Sequence, residues 1–115
     1  MSKSPAIKEE IGIQERRKYP RIKTAVQVEF LSEATGLVTQ ARTSDISCGG
    51  CYIETNRALP EGAKLGVTLW LGEESLITGA VVASHDERIG NSIRFVDMSV
   101  QDLNRLNHFL QSALR

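Results

Sequence analysis

The chain is short of cysteine, proline and aromatic residues: among 115 residues there are two Cys, three Pro, one Trp, two Tyr and three Phe. Two thiols cannot build the disulfide framework of a small secreted domain, so the chain must be held by a hydrophobic core, which its 41% apolar content allows. No apolar run approaches the ~20 residues that a membrane-spanning helix needs. The opening MSKSPAIKEE also lacks the apolar stretch of a secretory signal. These absences lead to the expectation of one soluble domain in a reducing cytoplasm, without membrane insertion. Net charge is missing too, since 14 Lys and Arg balance 14 Asp and Glu. A general nucleic-acid binder spreads excess cations over its surface, and a binder of single strands interleaves them with exposed aromatics; neither pattern is present, so no nucleic-acid partner is expected.

The balance of charge conceals an uneven distribution. Residues 1 to 23 hold seven Lys or Arg against three Glu, and the remainder holds seven against eleven acids. The basic head ends in RRKYPRIK, residues 16 to 23, with five cations in eight positions. A cluster this local suits a small anionic partner better than an extended polyanion.

Residues 1 to 15 are polar, contain Pro5 and Gly12, and show no sustained period, so they read as a flexible tail. After the basic arm at 16–23 the pattern becomes that of strands. Val26, Val28 and Phe30 share one face while Gln27 and Glu29 point the other way, as in a half-buried strand. Ser32 to Gly36 supplies a turn, residues 37 to 47 a second strand, and Cys51 to Ile53 a third beyond Gly49-Gly50. Leu65, Val67, Leu69 and Leu71 alternate again, GEES at 72–75 makes a hairpin connection, and a strand follows through Ile77, Val81 and Val82. HDERIG then turns the chain into Ser92 to Val96.

About six strands joined by short links suit antiparallel pairing, and a sheet of that size removes its exposed edges best by curling into a barrel over residues 24–97. Leu103, Leu106, Leu110 and Ala113 or Leu114 recur at helical spacing, with Phe109 beside them. Ser99 and Asp102 form a capping-box-like start, so residues 99–114 read as an amphipathic helix covering one mouth of the barrel.

One further stretch carries chemistry. In SDISCGGCYIET, residues 44 to 55, period two places Asp45 and Ser47 on one strand face, a carboxylate beside a hydroxyl, with Gly49 and Gly50 giving the backbone freedom and close approach beside them. RKYPR at 17–21 fits the pattern RxxxR, and DISCGG at 45–50 fits (D/N)xSxxG. In this order and separation, over roughly residues 15 to 112, the two motifs resemble the PilZ family.

The resemblance implies a mainly β fold, a six-stranded antiparallel barrel with a C-terminal α-helix, and a receptor for cyclic dimeric GMP (c-di-GMP). It implies that Arg17 and Arg21 contact phosphates and the guanine edge, that Asp45 and Ser47 read further guanine donors and acceptors, and that Gly50 keeps the turn open. Arg16, directly before the motif, implies two stacked c-di-GMP molecules per chain, because an added guanidinium offsets the repulsion of their phosphates. The expected consequence is that the loosely held arm folds over the barrel on binding and an effector protein of unknown identity reads the change, the receptor itself being a monomer or weak dimer. The alternative is a PilZ-like adaptor that binds no nucleotide and works through protein contacts alone. A later family segment close to GxGVxF is GNSIRF here, residues 90–95, with Ser92 in place of the second glycine.

Other groups read as structural. Cys48 and Cys51 form a C-x-x-C but lack the partner spacing of a zinc site and do not precede a helix, so they are expected to pack as small apolar groups. Ser84, His85, Asp86 and Glu87 read as a polar turn. No nucleophile–base set and no glycine-rich loop opening a helix can be assigned, so no enzyme, cofactor or metal is expected. Tyr52 and Trp70 are expected to pack in the barrel, and Tyr19 is the aromatic expected near a ligand.

Overall fold

Alternation of apolar and polar residues sorts the strands into an inner and an outer face. The computed structural model describes residues 20–55, 59–86 and 90–114. Within them lie strands β1 (Gln27–Ser32), β2 (Val38–Ile46), β3 (Gly50–Glu54), β4 (Lys64–Leu71), β5 (Glu74–Asp86) and β6 (Gly90–Val96), followed by helix α1 (Val100–Ala113). The strands close into a barrel in the order β1-β2-β3-β6-β5-β4, every neighbour antiparallel. The closing seam is β1 on β4, where Phe30 lies opposite Val67. Val28, Ile53, Val67 and Leu69 are fully enclosed, so the barrel interior is a packed core. β4 and β5 are joined by Gly72 and Glu73 alone, and Gly72 takes φ +71°, the conformation a two-residue hairpin demands at its first position.

Because each strand runs opposite to its neighbours, β2, β4 and β6 all end at the same mouth. The β2–β3 turn, the β4–β5 turn and the start of α1 therefore converge there. α1 is capped by Ser99, whose Oγ accepts the Asp102 N–H at 3.0 Å. Its apolar stripe turns into the barrel: Leu106 and Leu110 belong to the buried core, with Leu103 and Phe109 packed against it. Arg105 fastens the helix to the β4–β5 hairpin, donating to Glu74 Oε1 at 3.0 Å and to the Ser75 carbonyl at 2.8 Å. Its remaining amino group donates to Asp102 Oδ1 at 2.9 Å. These bonds push the Arg105 pKa above its ordinary value, the Glu74 hydrogen bond being the main cause.

Two expectations are revised. Trp70 is 39% exposed on the outer face, because Leu69 and Leu71 on either side of it take the inward positions. The expected polar turn at HDERIG is shorter, since β5 continues to Asp86 and β6 begins at Gly90, with residues 87–89 outside the described ones. No helix among the described residues is long and apolar enough to cross a membrane.

Leu106 is completely enclosed at the junction of helix and barrel. Leu106→Ala is expected to lower the unfolding free energy by about 2–5 kcal/mol, the usual cost of such a cavity. Urea denaturation measures it, and a loss below about 1 kcal/mol would mean that α1 is not part of the cooperative core.

Candidate ligand-binding site

A register shift builds the site. β2 pairs with β3 as Arg42 on Glu54 and Thr43 on Ile53, then resumes as Asp45 on Tyr52 and Ile46 on Cys51, leaving Ser44 without an opposite residue. Ser44 is the extra residue of a β-bulge. Its effect is visible in burial: Thr43 and Ile46 both face the interior, at 1% and 0% exposure, although they are three positions apart. Strict alternation from Thr43 would have sent Asp45 into the core. The bulge turns it outward instead.

The arm reaches Asp45 along the same strand. Thr43 Oγ1 accepts the Val26 N–H at 2.9 Å and donates to the Thr24 carbonyl at 2.8 Å. On the far side of the bulge, Ile22 and Ile46 exchange backbone hydrogen bonds of 2.9 and 3.0 Å. Held on both sides, the arm delivers Arg21, whose Nη1 donates to Asp45 Oδ1 at 2.6 Å, both side chains about a quarter exposed. Arg21 Nε is buried and has no hydrogen-bond partner. Arg21 and Ile22, expected within a loosely held arm, are thus anchored by protein contacts. Arg16, Arg17 and Tyr19 lie outside the described residues.

Beyond Asp45 the chain turns. Ser47 Oγ accepts the Gly49 N–H at 3.0 Å, and the Ser47 N–H donates to the Gly50 carbonyl at 2.8 Å. Ser47 is only 3% exposed. It closes its own turn, so the open hydrogen-bonding edge expected of Asp45 and Ser47 together is formed by Asp45 with Arg21. The glycines tie this turn to the neighbouring strand. A Cβ on Gly50 would run into the carbonyl oxygen of Ile93, so glycine at 50 lets β6 approach β3. The Gly49 carbonyl accepts the Phe95 N–H at 2.9 Å, tying the turn to the same strand.

The two cysteines flank this turn and both are buried and free of disulfide. Burial pushes the Cys51 thiol up to about 12, with the neighbouring Arg21 lowering it and Asp45 raising it by smaller amounts. Burial raises Cys48 as well. Neutral, enclosed thiols of this kind pack as apolar groups. Cys48 Sγ lies 3.9 Å from Asn107 Oδ1, so the turn that begins at Asp45 touches α1 on its other side.

On the outer face, Asp45 lies across from Tyr52, Tyr52 across from Ser92, and Ser92 across from Ser84. Tyr52 was expected inside the barrel. Cys51 and Ile53 are fully buried on either side of it, and the alternation therefore puts Tyr52 outside. Sequence reasoning also missed Asn91, fully buried, whose Oδ1 accepts the Leu59 N–H at 3.0 Å and pins the β3–β4 connection to β6.

An anchored guanidinium and carboxylate on the outer wall of a six-stranded barrel, contributed by the two sequence motifs, agree with the family comparison: the PilZ domain model matches residues 15–112. The chain belongs to the PilZ family. Among solved structures, the motility inhibitor MotI/DgrA of Bacillus subtilis superposes with a TM-score of 0.73 at 21% identity, covering 87% of this chain and 52% of that one. YcgR of Escherichia coli in complex with c-di-GMP superposes at 0.73 with 25% identity, covering 88% and 47%. The PilZ domain of CeSA from a cellulose-synthesizing bacterium gives 0.63 at 18% identity, covering 84% and 99%. The PilZ chain thus spans about half the length of MotI and of YcgR. No curated protein matches the sequence.

Gly50→Ala is expected to cost about 1–3 kcal/mol, because the obstructing atom belongs to the backbone of β6 and the strands must part to admit a methyl group. Chemical denaturation measures this, and a change under about 0.5 kcal/mol would contradict the close approach.

Proposed function

We propose that this PilZ domain is a c-di-GMP receptor whose site is the outer wall around Arg21, Asp45 and the turn that follows. The observation that carries the reading is the Arg21–Asp45 pair, 2.6 Å long, with the Arg21 Nε buried and unpartnered beside it. A guanidinium has five N–H donors in a planar fork, and its pairing with Asp45 Oδ1 uses one amino group. The donors of its other amino group suit phosphate oxygens or the O6 and N7 of guanine, while the carboxylate beside them accepts guanine N–H groups. A cyclic dinucleotide offers both kinds of partner within one small dianion. That YcgR of Escherichia coli and MrkH of Klebsiella pneumoniae are seen in complex with c-di-GMP supports the reading.

In this proposal the arginines of the arm, Arg16 and Arg17, close over ligand already held by Arg21 and Asp45. Ser47, Gly49 and Gly50 act from behind, keeping the turn in shape. The turn also abuts α1 through Cys48 and Asn107, and in this proposal the ordered arm and the surface it covers are what an effector protein reads. In this proposal the protein acts as a cytoplasmic receptor without catalysis.

Arg21→Ala is expected to weaken c-di-GMP binding by about tenfold or more, as loss of a charge-assisted contact does. The fold should lose only about 1 kcal/mol, since the ion pair is partly solvated. Calorimetry beside circular dichroism checks both, with GTP and a short oligonucleotide as controls. A folded variant of unchanged affinity would rule out the site, and an unsubstituted protein that ignores c-di-GMP would favour the adaptor that works by protein contacts alone.

Two ligands per chain are proposed, because two stacked dinucleotides bring about four phosphate charges together and Arg16 adds a guanidinium to offset them. Arg16→Leu should lower the stoichiometry from two to one while binding persists through Arg17 and Arg21. Calorimetric stoichiometry on protein of known active fraction decides it: one ligand in the parent, or two in the Leu variant, would dismiss the role of Arg16.

A further inference from the structure

We infer that Tyr52 is a ligand-contacting residue, its ring forming the platform on which the guanine read by Asp45 lies. The inference rests on the receptor reading and goes beyond the two motifs, which do not include this position. Three observations lead to it. Tyr52 is directly opposite Asp45 in the β2–β3 ladder, and residues so placed share a sheet face with Cβ atoms about 4.5–5.5 Å apart. The full burial of Cys51 and Ile53 confirms that this face is the outer one, where Arg21 meets Asp45. On its other side Tyr52 faces Ser92, a small side chain flanked by the buried Asn91 and Ile93. The register thus sets Tyr52 between Asp45, the partner of Arg21, and Ser92, a small side chain.

The chemistry follows from the shape of a purine. A carboxylate that accepts the N–H groups of guanine lies in the plane of the base at its edge, so the body of the base extends away from β2. The side chain next along the wall is that of Tyr52. A tyrosine ring supplies a flat apolar face with only two side-chain torsions to restrain, which makes it a low-entropy surface for stacking. The bland alternative is that Tyr52 merely shields the outer wall of β3, in which case its removal would alter stability and leave the ligand's environment unchanged.

The full chain is titrated with c-di-GMP by calorimetry as parent, Tyr52→Phe and Tyr52→Leu, and the guanine H8 resonance is followed by proton NMR at saturation. Tyr52→Phe should bind within about twofold of the parent, because the ring is kept, whereas Tyr52→Leu should lose about tenfold or more, as loss of one base–aromatic stack does. The upfield H8 shift of the parent complex should persist in Tyr52→Phe and shrink in Tyr52→Leu. A folded Tyr52→Leu with parental affinity would overturn the inference. Should that variant not fold, intermolecular cross-peaks between guanine H8 and the Tyr52 ring in the unsubstituted complex decide the matter, their absence overturning it. A parent that binds no c-di-GMP would overturn the receptor reading, and this inference with it; binding by the parent without dependence on Tyr52 would overturn the inference alone.

Discussion

Ser44 is an extra residue in β2, and the direction of Asp45 depends on it. Thr43 and Ile46 both point inward, so without the bulge Asp45 would join Thr43 in the interior, where an ionised carboxylate among Val28, Ile53 and Val67 would have to be neutralised or paired at considerable cost. With the bulge, the carboxylate emerges on the outer wall while the residues before and after it keep their places in the core. The same irregularity shapes the arm. Thr43 anchors Thr24 and Val26 on one side of it and Ile46 anchors Ile22 on the other. Arg21 arrives at Asp45 because both anchors hold, and the ion pair is a consequence of the register more than its cause.

This division explains why the polar residues of the second motif behave unequally. Asp45 is outward and only partly buried, with a cation as its neighbour, so it retains acceptor capacity for another molecule. Ser47 is enclosed and spends its oxygen on the Gly49 N–H, a bond that keeps the turn tight. Gly50 provides clearance for β6, whose segment carries Ser92 onto the same wall. Two residues after the outward aspartate, the motif turns inward and holds the turn together.

The barrel and its helix were legible in the sequence because burial imposes a period. Val28 and Phe30, the leucines of β4, and Leu106 with Leu110 each mark the face that the structure buries. Gly72 likewise announced its hairpin. The outward placement of Tyr52 and Trp70 was equally available, each standing between two inward apolar neighbours, so phase and not aromatic character decides their side of the wall. The bulge was not legible. Nothing in RTSDIS distinguishes an extra Ser44 from regular alternation, since bulges arise from pairing with two neighbouring strands and leave little local trace. Arg21 and Asp45 could be named from the motifs, yet their contact across 24 positions depends on a register that the motifs do not encode.

The wall around Asp45 is joined to both β6 and α1. The turn from Ser47 to Gly49 is bonded to β6 by Phe95 and touches α1 by Cys48, while α1 is clamped to the β4–β5 hairpin by Arg105. The contacts are unequal: a backbone hydrogen bond on one side, a loose sulfur contact of 3.9 Å on another, and a charged network at the far edge of the helix. The turn is thus tied weakly to the helix, and the helix firmly to the hairpin. Leu106 and Leu110, both in the core, hold the helix to the barrel beside these contacts.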